Sequence, residues 1–281
     1  KFRALIPLCV GVSHHRAVQW LNLAQYPHML VAGFTGSGKS NFVNSLICTL
    51  ISMHTPEEVR IVLVDLKDGI EFSSYERIPH LHGKVVDKVP ALANTLQELE
   101  AVMADRNHLM RGKAKTLGEY NAKFPDKKLP RIICIIDEVA SIMAQGETTK
   151  RVNNSLRQLT AKGRAPGIHI ILSTQRPSVD AIDGGIKVNL AARIVGRMPS
   201  HTDSLTVLGT GEAKELAAVP GRMILQIGPD PIPVQTPMID EGDIEAALKV
   251  AMAFETPAPL PVPANARLVD WVSYGQTMPL A

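Results

Sequence analysis

Eight consecutive residues restrict this chain more than any others: Gly33-Phe-Thr-Gly-Ser-Gly-Lys-Ser40. They fill every fixed position of G-x-x-x-x-G-K-[ST], a loop that joins a strand to a helix and cradles phosphate. The flanks agree. Met29 to Ala32 is a short apolar run that predicts a buried strand, and the apolar periodicity from Asn41 to Met53 predicts a helix. Glycines at 33, 36 and 38 let successive backbone N–H groups turn inward. With the helix N-terminus they make a seat for a polyphosphate. Lys39 is expected to reach the β- and γ-phosphates of ATP, and the Ser40 hydroxyl to hold Mg²⁺. The candidate nucleotide-binding residues are therefore Gly33, Thr35, Gly36, Ser37, Gly38, Lys39, Ser40 and Asn41.

A second signal lies about a hundred residues on. Arg131-Ile-Ile-Cys-Ile-Ile-Asp-Glu138 is an apolar strand tipped by two acids. Asp137 is placed to order the magnesium shell beside Ser40, and Glu138 to polarise a water against the γ-phosphate. A third strand, Ile168 to Ser173, ends in Thr174-Gln-Arg-Pro-Ser178. Gln175 at its tip has an amide suited to bind both the γ-phosphate and the attacking water. Arg164, eleven residues earlier, falls at the opposite edge of the sheet, far from its own nucleotide. That position suits an arginine serving a neighbour's ATP.

The remaining pattern is strands alternating with helices. Residues 4–12 and 17–23 suggest a hairpin with His14 and His15 in its turn, and 59–64 a buried strand. Asp65-Leu-Lys-Asp-Gly69 follows, readable as a ligand-facing strand end or as a plain turn cap. Residues 89–111 and 147–163 have helical spacing, with Met103 and Met110 as core filler. Residues 112–130 read as a surface connection carrying Lys123, Lys127 and Lys128. His169 reads as a packed core histidine. Two short helices are expected over 203–218, with strands at 192–196 and 222–227 and an edge strand at 234–239 interrupted by Pro237. A last amphipathic helix spans 241–254, and the tail from Thr256 is proline-rich. The predicted fold is α/β: a mostly parallel central sheet flanked by helices. It divides into a small N-terminal β element (1–24) packed on a motor domain (25–255), then a tail (256–281).

Composition narrows the function. Net charge is +3 and aromatics are 4% of 281 residues, so any nucleic-acid contact must come from a local basic lining rather than base stacking. Cys9, Cys48 and Cys134 lie in apolar surroundings without metal-ligand spacing, as in a reducing, cytoplasmic compartment. No apolar run reaches the roughly 20 residues of a membrane helix, so no membrane contact is expected of this segment. The chain starts at Lys1 and reads as a piece of a longer protein, one whose missing part has room for an anchor.

The order of phosphate loop, acid-tipped strand and Gln-tipped strand resembles RecA-like P-loop NTPases. Pro27–Ser40, Tyr75-Glu-Arg-Ile-Pro-His-Leu81, Ile135–Glu138, Gly163-Arg-Ala-Pro-Gly-Ile-His169 and Ser173–Ser178 resemble the FtsK/SpoIIIE family, over about residues 5 to 250. The resemblance implies an ATPase working as a hexameric ring that pumps double-stranded DNA through its pore. It implies Lys39 and Ser40 as the Walker A pair, Asp137 and Glu138 as the Walker B pair, Gln175 as sensor and Arg164 as arginine finger. Pore-facing loops fall near Arg176–Lys187 and Pro199–Leu205, with Arg176 and Lys187 on the DNA backbone. The second loop departs from the family's Ser-Lys-x-Asp-Ser-Arg, reading Ser200-His-Thr-Asp-Ser-Leu205. Asp65-Leu-Lys replaces Asp-Pro-Lys. These departures leave room for a mobile-element relative. The alternatives are a same-fold ATPase powering secretion or conjugative transfer, or a slow nucleotide-gated platform of a plasmid or phage element.

Overall fold

A computed structural model describes residues 6–67, 69–143, 146–175 and 183–257. Among the described residues, nine strands form one sheet: β1 (Pro7–Ser13), β2 (Val18–Asn22), β3 (His28–Ala32), β4 (Val59–Asp65), β5 (Arg131–Asp137), β6 (Ile168–Thr174), β7 (Ala192–Gly196), β8 (Arg222–Gln226) and β9 (Ile232–Gln235). Their spatial order is β2-β1-β9-β8-β7-β3-β6-β5-β4. From β7 to β4 all neighbours are parallel, and from β7 to β2 all are antiparallel.

The parallel strands are apolar throughout because both of their faces are covered. Alternation still decides which residue meets which layer. Ile132, Cys134 and Ile136 of β5 pack with α2 (Val89–Met110) and α4 (Glu147–Lys162). Ile133 and Ile135 join the opposite core with α1 (Lys39–Met53) and α8 (Glu241–Met252). Helix α2 follows the Leu92, Leu96, Leu99, Met103, Met110 spacing, and both methionines are buried as core residues.

Three expectations change. Residues 112–130 are not a bare connection: Leu117–Lys123 forms helix α3, and Leu117 and Tyr120 close a small core with Met110. Thr116 caps α3 by accepting from Glu119 N–H, and the Thr-x-x-Glu spacing was the legible signal. Second, the late strand is not at an edge. Strand β9 ends before Pro237 and lies between β8 and β1. It tolerates Pro233 because β1 pairs only with Val234 and Gln235. Third, the stretch Pro199–Leu205 is mostly helical: α6 (His201–Leu208) starts there, with Ser200 as N-cap.

Helices α5 (Gly184–Lys187) and α7 (Glu212–Glu215) complete the set. The hairpin is as predicted, with His14 and His15 in its turn. Among the described residues, no helix is long and apolar enough to cross a membrane.

Candidate functional site

The phosphate loop leaves the C-terminal end of β3, the second strand in from the start of the parallel half. Its shape needs its glycines. Gly38 has φ 92°, and a Cβ there would sit 2.5 Å from Gly221 N. At Gly33 the constraint is space: a Cβ would come 2.3 Å from Ser37 Oγ. The loop is pinned by its neighbours, with Gly33 N–H donating to Thr174 O, Phe34 N–H to Arg197 O and Gly221 N–H to Ser37 O.

Helix α1 begins directly on the phosphate loop, with Gly38 as its N-cap residue. No side chain caps its N-terminus and no acid lies in its first turn. Helix α8 by contrast has a reciprocal Asp240–Asp243 capping box, and α3 and α6 have Thr116 and Ser200 caps. An uncapped, acid-free N-terminus behind a glycine loop leaves its N–H groups and dipole for an anion.

Lys39, Asp137 and Ser173 form a buried triangle. Lys39 Nζ donates to Asp137 Oδ1 at 2.6 Å and lies 2.7 Å from Ser173 Oγ, which donates to the same Oδ1 at 2.5 Å. Burial by itself would raise the Asp137 carboxyl. The Lys39 charge, with hydrogen bonds from Lys39 and Ser173, outweighs it and holds the group below the usual carboxylate range.

Glu138 is turned by an uncommon backbone, φ 52°, a region costly for a residue with a Cβ. Its buried carboxylate accepts from Thr174 Oγ1 at 3.1 Å and from Gln175 N–H at 3.3 Å, and pairs with Lys67 Nζ at 3.0 Å. The turn after β4 delivers Lys67. Asp65 fixes that turn, accepting from Lys67 N–H and Glu71 N–H at 2.9 Å each, which favours the turn-cap reading of this aspartate. Gln175 reaches Thr35, whose hydroxyl donates to Oε1 at 3.1 Å. Asn41 faces away from this group, tied to Ile239 O and N.

Lys39, Ser40, Asp137, Glu138 and Gln175 thus gather at the strands' C-terminal ends. Ser173, Thr174 and Lys67 join them and were not singled out from the sequence. The first two had a signal, since they immediately precede Gln175 at the strand tip. Arg164 is not in this group. It is exposed, beyond the N-terminal end of β6. A seven-residue strand separates it from Gln175, roughly 20 Å at about 3.3 Å per residue. Lys187 ends α5, while Arg176 lies outside the described residues, as do Asp68 and the tail from residue 258.

The site fits a nucleoside triphosphate on its own evidence: a loop whose missing Cβ atoms make the cradle, a buried ammonium, and a helix start without a side-chain cap. Similarity to known proteins agrees. The DNA translocase FtsK of Corynebacterium efficiens is 35% identical over 264 residues, 88% of this chain and 28% of that protein. The FtsK of Lactococcus lactis subsp. cremoris is 36% identical over 255 residues, 87% of this chain and 33% of that one. The chain thus spans about a third or less of the length of these relatives.

Among solved structures, the monomer form of the pCW3 conjugation coupling protein TcpA with ATPγS superposes with a TM-score of 0.78 at 30% identity, over 88% of this chain and 70% of that one. The cytoplasmic domain of the Thermomonospora curvata type VII secretion ATPase EccC gives 0.79 at 24% identity, over 94% of this chain and 33% of that one, a likeness of fold. The sequence model of the FtsK/SpoIIIE family matches residues 3–179. With a P-loop, two acids and a glutamine converging at the C-terminal ends of the parallel strands, the chain belongs to the FtsK/SpoIIIE family.

Proposed function

We propose that this chain is the ATP-hydrolysing motor of a double-stranded DNA translocase that works as a hexameric ring. The observation that carries the reading is the division of one catalytic set between two ends of the sheet. Lys39, Asp137, Glu138 and Gln175 meet at one end, and Arg164 is exposed at the other. A ring of identical subunits would bring the Arg164 of one to the phosphates of the next. The relatives at 35% and 36% identity are DNA translocases, which supports duplex DNA as the cargo.

The roles follow from the chemistry of each group. An ammonium has three donors, and Lys39 uses two on Asp137 and Ser173. The third is suited to a phosphate oxygen. Glu138 takes the proton of the attacking water. Thr174 and the Gln175 N–H hold its carboxylate in place, and its backbone turn aims it. The Gln175 amide, steadied by Thr35, orients that water. Ser40 and Asp137 would hold Mg²⁺, which would neutralise phosphate charge when bound. Arg176 and Lys187 contact the DNA backbone, so Ala at either weakens binding uniformly across sequences. The salt slope then becomes shallower by about one, as read by titration at several salt concentrations.

The test is the ATPase rate with and without linear duplex DNA. Stimulation supports the translocase. ATP-dependent assembly with little turnover on DNA would replace it by a nucleotide-gated platform. A second reading, a motor for conjugative transfer, is favoured by the 30% identity to a conjugation coupling protein. Stimulation by single-stranded in preference to duplex DNA would select it.

A further inference from the structure

We propose that Arg106 is a positioning residue for Arg164, holding the loop that presents it to a neighbouring subunit. The inference rests on the reading of Arg164 as a group that serves the next subunit's site.

The loop from Gly163 to Gly167 is held to an unusual degree for a surface turn. Three successive carbonyls are each taken by a different element. Ala165 O accepts from Leu117 N–H at the start of α3 (2.8 Å), and Gly167 O from Ile132 N–H on β5 (2.9 Å). Between them, Pro166 O accepts from Arg106 Nη1 of α2 at 2.8 Å. Within the loop, Gly167 N–H returns to Arg164 O and Ile168 N–H to Gly163 O. Pro166 and Gly167 are buried, and Arg164 alone of the five is exposed. Loops ordinarily spend their backbone groups on water. Here the backbone is spent on the protein, and the side chain is left to the outside.

Arg106 is the costly part of this arrangement. Its side chain is 4% exposed, and among the described residues no carboxylate pairs with it. Burial, with Arg131 nearby, lowers its pKa to about 10. A buried cation normally brings an acid with it. Arg106 instead directs its guanidinium at a main-chain carbonyl two residues from Arg164. An apolar residue of similar length would fill the helix face without that desolvation. What it would lack is the donor to Pro166 O. Positioning matters in such a role, because about 1 Å of misplacement can cost on the order of 100-fold in rate.

The experiment mixes variants of the full chain. Arg106→Met, Arg164→Ala and Glu138→Gln are assayed alone, then Glu138→Gln is mixed with each of the other two. Arg106→Met alone should lose at least about tenfold in turnover while its own phosphate loop still binds ATP. Mixing it with Glu138→Gln, which carries an intact Arg164, should restore turnover as the Arg164→Ala mixture does. Gly167→Ala strains the same loop from another side, since its φ is +75° and its Cβ would lie 2.4 Å from Leu117. It should behave like Arg106→Met, while Arg106→Lys should retain part of the activity.

Recovery with Arg164→Ala but not with Arg106→Met or Gly167→Ala would overturn the inference and leave the shared site standing. Recovery in no mixture would remove the shared site, and the inference with it.

Discussion

The two ends of the parallel strands are built on opposite electrostatic plans. At the C-terminal end the charges are paired: buried Lys39 with Asp137, and the half-exposed Lys67 with buried Glu138. At the N-terminal end Arg106 and Arg131 lie under the Arg164 loop, and among the described residues no carboxylate pairs with either. Two histidines there, His28 and His169, are buried and held neutral. Paired charges can be re-sorted when an anion arrives, so the first end suits chemistry. Unpaired guanidiniums beside neutral imidazoles cannot be re-sorted that way, and the second end suits holding a backbone still.

The largest expected effect falls on the chemical end. Glu138→Gln should lower turnover by at least ~100-fold, within the range typical of a general base. ATP binding should survive, and equal turnover in the mutant would remove Glu138 from that role.

Next is the ion pair itself. Lys39→Ala leaves Asp137 buried without its cation, a loss on the order of 3–5 kcal/mol for a broken buried pair. Denaturant titration should show that loss at pH 7. It should shrink at acid pH, where the stranded carboxyl takes up a proton. Lys39→Met combined with Asp137→Leu should cost less than the two single losses added.

The third prediction sharpens the contrast through pH. Burial pushes the His28 imidazole from 6.5 down to about 4, and Ile170 N–H donates to its Nδ1 at 3.1 Å. The unfolded chain therefore binds a proton that the folded one refuses between these values. The stabilisation is whole above about 6.5 and is lost as pH falls toward 4, about 3 kcal/mol in all. Denaturation midpoints across that window should flatten in His28→Asn. An unchanged slope would mean that another group titrates there.

The smallest effect belongs to the cap beneath the Arg164 loop. Thr116→Ala removes the acceptor for Glu119 N–H and should cost about 1 kcal/mol by thermal melting.

The parallel half was readable because its signals are local. Continuous apolar runs mark strands covered on both faces, and the acids and the amide sit at the tips of those runs. Helix α3 was missed because Thr116 and Glu119 are a cap without a long apolar stripe behind them. Strand β9 was misplaced because Pro237 suggested an edge, whereas the strand stops before it and its own Pro233 is spared by a short pairing with β1. Lys67 could not be assigned from its surroundings in sequence. Its partner is 71 residues away, and the contact depends on a left-handed backbone at Glu138.

Order along the chain was enough to determine that this protein has a phosphate loop, an acid-tipped strand and a glutamine-tipped strand, since each motif is a run of neighbours obeying its own sterics. Only the tertiary structure decided that Ser173 bridges Lys39 to Asp137, that Lys67 closes on Glu138, and that Arg106 reaches under Arg164. Those contacts join residues brought together by strand order and helix packing, and no local spacing encodes them.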